Sequence, residues 1–138
     1  EAEGASLIAS FLDNTPALSA LKNKVSRLAK RGWLPGLDGR KLQVRHQHSA
    51  LNTLLQAAGS IVMKKSLILL QSKIKCGIMD TSFVANVHDE WQIETNEKLA
   101  ESVGQAGIQA IQEAGLALGL RCPLDGEYKV GSNWAATH

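Results

Sequence analysis

At 138 residues, with 44% apolar and 20% charged residues, the chain is long enough for one hydrophobic core and has an ordinary globular composition. Nothing in it approaches the run of about 18 to 20 apolar residues that a membrane span requires, and the opening EAEGAS has neither the basic start nor the apolar centre of a signal peptide. The net charge of +2 conceals a division: residues 1–75 hold 12 Lys+Arg against 4 Asp+Glu, a balance of +8, and residues 76–138 hold 3 against 9, a balance of −6. A basic half beside an acidic half suits a polymer of phosphates together with a metal site. Solvated helix faces segregate charge in the same way. Cys76 and Cys122 stand far apart without CxxC spacing, which predicts reduced thiols in a cytosolic protein and no zinc site.

Residues 1–14 read as the tail of a helix. Thr15 and Pro16 then read as the N-cap and first position of a second one. Its apolar face is Leu18, Leu21, Val25 and Leu28; Lys22, Lys24, Arg27, Lys30 and Arg31 crowd the other faces, and Gly32 ends it. Trp33 to Val44 is predicted as a hairpin, with Asp38-Gly39 as a two-residue turn and Pro35 confining the first strand to an edge or bulge. From about Gln47 to Leu70 runs a long helix with an apolar face of Leu51, Leu55, Ala58, Val62 and Leu69. On it His48, Asn52 and Gln56 recur at i, i+4 and i+8, a stripe in which each residue lies about 40° round from the last. Uncharged hydrogen-bonding side chains in a stripe are an unusual way to solvate a helix. Donors of this kind can read the N3 and O2 acceptors that every base pair presents in the minor groove.

Gln71 to Ser82 reads as a connection. Phe83 to Glu94, FVANVHDEWQIE, reads as two short strands meeting at a tight turn, with Phe83, Ala85 and Val87 on one face of the first strand and Trp91 and Ile93 on one face of the second. His88, Asp89 and Glu90 occupy its tip. Hairpin turns favour Gly or Asn because their central residues need positive φ, so holding His-Asp-Glu there accepts strain and marks a candidate site. An exposed polar turn is the plain alternative. Glu97 to Leu118 follows as an amphipathic helix whose stripe is Leu99, Val103, Ala106, Ala110, Ala114 and Leu118; Gly104, Gly107 and Gly115 suggest close packing on the sheet. Arg121 to Val130 reads as a strand turning at Asp125-Gly126 and adding an edge to that sheet.

VHDEWQIE resembles the motif C hairpin of family A DNA polymerases, the DNA polymerase I family. Gly36 to Lys64 is similar to the family's segment between the fingers and motif C, GSNWAATH (Gly131 to His138) to its C-terminal ending, and FLDNTPALSALK (Phe11 to Lys22) to its phage branch. Three motifs in the family's order, with the leading stretch, extend the resemblance along nearly the whole chain. The resemblance implies an α+β fold with an antiparallel β-hairpin palm core packed on long helices: residues 1–32 as the end of the fingers region and a basic helix, and residues 33–138 as the C-terminal part of the palm. The family's upstream motif A, with a second catalytic aspartate, and its motif B fingers helix are not in this sequence. The acidic residues before Asp80 are Glu1, Glu3, Asp13 and Asp38, none in such a context. The chain is thus expected to be a C-terminal piece that needs an N-terminal complement.

Template-directed synthesis, as the resemblance implies it, joins a dNTP to a primer through two Mg²⁺ ions held by few carboxylates. Asp89 is then the metal ligand, the second aspartate coming from outside this chain; Glu90 sits beside the metal, and His88 meets the primer end. Asn52 and Gln56 fall where the family contacts primer–template DNA, and His48 where many members carry Arg. Arg40, Lys41 and Arg45 are positioned to meet phosphates. The expected partners are primer–template DNA, dNTP and the N-terminal portion of the same polymerase, with no membrane, in the cytoplasm of a bacterial host. A non-catalytic DNA-binding module and a metal-dependent nuclease built on Asp89, Glu90 and His88 are the rival readings.

Overall fold

The computed structural model describes residues 2–77 and 80–137. Two helices, α1 (Ala2–Asn14) and α2 (Pro16–Ala29), precede a small hairpin of β1 (Trp33–Pro35) and β2 (Lys41–Gln43). The long α3 (Ala50–Gly77) leads to a second hairpin, β3 (Thr81–Val87) and β4 (Glu90–Thr95), and then to α4 (Ala100–Ala117) and the short α5 (Trp134–Thr137). Antiparallel hairpins among long helices make the fold α+β, as the sequence predicts. The chain forms two compact units, Glu1–Ala57 and Ala58–His138, the break falling within α3.

In the first unit Pro16 takes the first helical position as expected, but Thr15 does not cap α2. Its hydroxyl donates backwards to the Phe11 carbonyl at 2.7 Å and closes the last turn of α1 instead. Gly32 ends the helical stretch at φ 82°. The β1–β2 turn is also not the two-residue type. Gly36 N–H donates to Arg40 O at 2.7 Å and Gly39 N–H to Gly36 O at 3.0 Å, so Leu37, Asp38 and Gly39 form a three-residue turn. Gly39, at φ 82°, supplies the left-handed residue that such a turn needs. Val25, Ala29, Leu34, Val44 and Ala50 are buried together, with Leu28, Leu42, Leu51 and Leu54 packed around them.

α3 starts and ends later than its sequence pattern suggests. Gln47–Ser49 forms a single 3₁₀ turn ahead of it, and the helix runs on through residues 71–77, which were expected as a connection. Its buried face differs in part: Leu51 and Leu69 pack on the two cores as expected, but the buried positions include Ser66, Leu70 and Ile74, and Leu55 is 54% exposed. Apolar residues on several sides of α3 blur its period, and a serine at a core position hides the rest. The Ser66 hydroxyl donates to the Val62 carbonyl at 2.9 Å, which satisfies the buried group. By length and hydropathy alone α3 could cross a bilayer. Lys64 and Lys65 at its midpoint oppose that, each costing about 2.5–3.5 kcal/mol at a bilayer centre.

In the second unit Leu70, Ile74 and Ala110 form the core, and Phe83, Trp91 and Ile93 pack onto it from the hairpin. Lys73 ties α3 to α4 through Glu113 at 2.7 Å. α4 ends in a Schellman motif: Gly119 N–H donates to Leu116 O and Leu120 N–H to Gly115 O, both at 3.0 Å, with Gly119 at φ 66°. Arg121 to Val130 is not a strand and adds no edge to the hairpin. It runs extended along α4. Its alternate residues Leu124, Gly126 and Tyr128 are the half-buried ones, so the period of two is real but the surface it serves is a helix. Gly115 lies under Leu124 and Gly104 under the Tyr128 ring; the close packing expected of these glycines is therefore against this strap, not a sheet. Tyr128 O–H donates to Glu101 and accepts from Gln105, and hydrogen bonding to the Glu101 carboxylate raises the phenol's pKa above its ordinary value. Cys122 is a free, exposed thiol; the Cys76 side chain, Ile78, Met79 and His138 lie outside the described residues.

Two glycines of α4 should respond oppositely to alanine. A Cβ at Gly104 would land inside the Tyr128 ring, while one at Gly107 would meet nothing. Gly104→Ala is expected to destabilise by about 1–3 kcal/mol through overpacking, and Gly107→Ala to stabilise by up to about 1 kcal/mol through helix propensity. Thermal melts of the two variants check the sign of each.

Candidate functional site: the hairpin tip and the basic face

The tip is built by the register of β3 on β4. Val87 pairs with Glu90, leaving His88 and Asp89 as a two-residue loop. His88 adopts φ 54°, so the strain expected at this turn falls on the histidine. Both loop side chains are exposed. Among the described residues no hydrogen bond or ion pair engages the Asp89 carboxylate, and no three His, Cys, Asp or Glu side chains gather as a metal cluster. Glu90 accepts from the Gln92 side-chain amide and is thereby steered along the strand.

A bulge decides which way the hairpin faces. Phe83 pairs with Ile93, but Ala85 pairs with Gln92, so Val84 is the extra residue. Beyond it Asn86 lies opposite Trp91, and Val87 is 40% exposed. Phe83, Ala85 and Val87 therefore do not share a face, as unbroken alternation would have them. Phe83, Trp91 and Ile93 face the core. A shallow pocket of about 260 Å³ opens at the bulge, lined by Leu67, Gln71 and Phe83 to Asn86. The Trp91 indole Nε1 is buried with no hydrogen-bond partner among the described residues.

The basic residues belong to the other unit. Arg40 does not stand free: its guanidinium grips Asp38 through Nε at 3.0 and 2.8 Å and Nη2 at 2.6 Å. That contact holds the Asp38 carboxyl below its usual value. Lys41 Nζ lies 5.0 Å from the Trp33 ring centroid, and the Arg31 guanidinium, which sequence reasoning did not single out, stacks on the same ring at 3.7 Å. Asn52 and Gln56 stand one turn apart on α3, both exposed. His48 lies in the 3₁₀ turn ahead of α3. It stacks on His46, with ring centroids 5.5 Å apart and planes at 12°. The two rings line an open pocket of about 580 Å³ with Ser26, Arg45 and Gln47. His46 was legible only as one more polar residue in VRHQHS; the 3₁₀ turn that brings it beside His48 left no signal in the sequence.

The family model for DNA polymerase family A matches residues 4–136. The chain belongs to that family. It is 38% identical to the DNA-directed DNA polymerase of Escherichia phage T7 over 98% of its own length and 22% of that protein's. It is 34% identical to the DNA-directed DNA polymerase of Escherichia phage Phieco32 over 99% of its length and 23% of that protein's. The family A chain thus spans less than a quarter of these phage relatives. Its fold matches the POL domain of Pol1 from M. smegmatis, solved in complex with DNA primer-template and dNTP, with a TM-score of 0.71 at 20% identity over 83% of this chain and 23% of that one.

The left-handed His88 gives a direct test of turn strain. A non-glycine residue held there costs on the order of 1 kcal/mol, which glycine partly recovers against its greater unfolded-state entropy. His88→Gly is expected to leave the melting temperature unchanged or raise it by a few degrees. A clear fall would show that the imidazole stabilises the fold.

Proposed function

We propose that this chain supplies the C-terminal palm part of a DNA-directed DNA polymerase, with residues 1–32 as the end of its fingers region, and that it needs an N-terminal complement for activity. The observation that carries this reading is the position of VHDEWQIE, within a family match spanning residues 4–136, on a hairpin whose loop is His88 and Asp89. In this reading Asp89 is a metal ligand. A lone exposed carboxylate is suitable chemistry for Mg²⁺, which takes few protein ligands where substrate phosphates provide the rest, and the second aspartate comes from outside the chain. Bound metal supplies charge stabilisation at the attacking and leaving oxygens of nucleotidyl transfer. His88 meets the primer end, and Glu90, steered by Gln92, adds negative potential beside the metal. The working protein acts in the cytoplasm of a phage-infected bacterium, as its likeness to phage polymerases suggests.

DNA contact falls to the basic unit. Lys41 and Arg45 meet phosphates. Arg40 does so only by exchanging Asp38 for a phosphate. Asn52 and Gln56 donate to minor-groove acceptors, which sit in nearly equivalent places in all correct base pairs, and His48 contacts DNA from the pocket it shares with Arg45. A DNA-binding module without chemistry uses the same surface. Asp89 and the complementation experiment separate the two.

Primer extension should be absent with the purified chain and present once the N-terminal portion of the polymerase is added. In that reconstituted enzyme Asp89→Ala should abolish incorporation while duplex affinity stays within about twofold, because the carboxylate acts on the transition state more than on duplex binding. Extension by the chain alone would overturn the need for a complement. Equal loss of binding and rate in the variant would assign Asp89 a structural role.

Gln56→Ala should slow extension of matched primers by a few-fold to tenfold, the worth of one hydrogen bond of about 0.5–1.5 kcal/mol, and weaken discrimination against mismatched ends. Steady-state extension of matched and mismatched primers, with a melting curve alongside, reads both. Unchanged kinetics with a lowered melting temperature would make Gln56 a structural residue.

A further inference from the structure

α1 is a helix without a core of its own. Of its described side chains all but Leu12 are exposed, and none belongs to the buried cluster of Val25, Ala29, Leu34, Val44 and Ala50. Leu7, Ile8 and Phe11 are 67%, 58% and 57% exposed. By helical spacing these three fall within one arc of about 100°. A Cβ at Gly4, in the same arc one turn earlier, would meet nothing within 4 Å. The face is thus apolar and open along two turns. Its anchorage lies at the C-terminal end, where the Asn14 side-chain amide donates to the Ser10 carbonyl at 2.9 Å and the Thr15 hydroxyl to the Phe11 carbonyl at 2.7 Å. A helix of 13 residues is marginal in water by itself. Three large apolar side chains on one solvated face are what a helix presents to a groove.

Charge decides what covers this face. From Glu1 to Leu21 the sequence holds Glu1, Glu3 and Asp13 and no Lys, Arg or His, and Glu3 stands four residues before Leu7, beside the face. A phosphate backbone is repelled by that sign, which keeps α1 out of the DNA-contacting surface. A second copy of the chain meets the same obstacle. Paired parallel, α1 sets Glu3 against Glu3; paired antiparallel about Ile8, it sets Glu3 near Asp13, and like charges disfavour both. This chain spans 22% and 23% of the phage polymerases it is most usefully compared with, so in the proposed enzyme most of the polymerase lies outside it and has to be held to it. We propose that the Leu7, Ile8 and Phe11 face of α1 docks into an apolar groove, basic on the Glu3 flank, on the N-terminal portion of the same polymerase, and that α1 becomes a stable helix on docking. The inference rests on the complementation reading above and adds to it the surface that makes the contact.

The test mixes the full chain with the separately produced N-terminal portion and follows association, amide hydrogen exchange and primer extension. In the free chain the amides of α1 should exchange rapidly, and the N-terminal portion should slow them by at least about tenfold. Leu7→Ser with Phe11→Ser should weaken association by about a hundredfold, the loss of two buried apolar anchors. The chain's own melting temperature and duplex affinity should stay as in the native protein, because both positions are exposed and outside the buried cluster. Glu3→Lys should weaken association by about three- to tenfold at low salt, an effect that shrinks as salt rises; tighter association would overturn the basic flank. Native-like association and extension in the double variant would overturn α1 as the docking face while leaving the need for a complement intact. No association of the native chain with the N-terminal portion would overturn both. A native chain that sediments as a dimer, with a monomeric double variant and unchanged association, would assign the face to a second copy. Loss of duplex affinity in the double variant at an unchanged melting temperature would assign it to DNA. Either result overturns the proposal.

Discussion

The packing of Phe83, Trp91 and Ile93 onto Leu70, Ile74 and Ala110 is the contact on which the hairpin unit depends. A two-stranded hairpin is marginal in water by itself, and β3 and β4 acquire a fixed orientation only by placing one face on α3 and α4. That face is set by a single extra residue. Val84 breaks the alternation, so the strand leaves the bulge with Asn86 opposite Trp91 and carries Val87 and the tip outwards. Without the bulge, the register set by Phe83 and Ile93 would pair Asn86 with Glu90 and leave three residues, Val87 to Asp89, at the turn. The His88-Asp89 loop is therefore aimed by Val84 and anchored by three aromatic and aliphatic side chains several residues away.

The same unit solves a second packing problem with glycine. α4 carries no large side chain at Gly104 or Gly115, and the strap from Arg121 to Val130 fills those gaps with Tyr128 and Leu124. The result is an extended segment bound to a helix by alternate side chains, without ladder hydrogen bonds. Tyr128 adds a polar lock through Glu101 and Gln105. Because the phenol's pKa is raised in the fold, this lock is complete below the ordinary tyrosine range and is lost as pH rises through the raised value.

Electrostatics divide the basic residues by availability. Arg40 is spent on Asp38, whereas Arg31 and Lys41 lie over the Trp33 ring and remain exposed. Arg45, by contrast, opens onto a pocket shared with two histidines. A count of positive residues treats these as equivalent. For a phosphate ligand they are not, since a guanidinium already in a close carboxylate contact must give up that partner first.

Much of this was readable in the residues themselves. The α+β class, the helix beginning at Pro16, a hairpin with His88, Asp89 and Glu90 at its tip (though Glu90 opens β4 and leaves a two-residue loop), and the helical spacing of Asn52 and Gln56 follow from backbone preferences and short-range periodicity, which act within a few residues. The ordered resemblance of VHDEWQIE, the Gly36 to Lys64 stretch and the terminal GSNWAATH carried the family. Tertiary structure decided what those rules leave open. It chose Ser66, Leu70 and Ile74 as the inner face of α3, since a helix apolar on several sides does not state which side its neighbours will cover. It turned Arg121 to Val130 into a helix-bound strap, since alternation specifies an extended chain but not the surface it meets. It placed His48 in a 3₁₀ turn ahead of α3 and stacked it on His46, since the tighter turn at a helix start leaves no mark in the α-helical period.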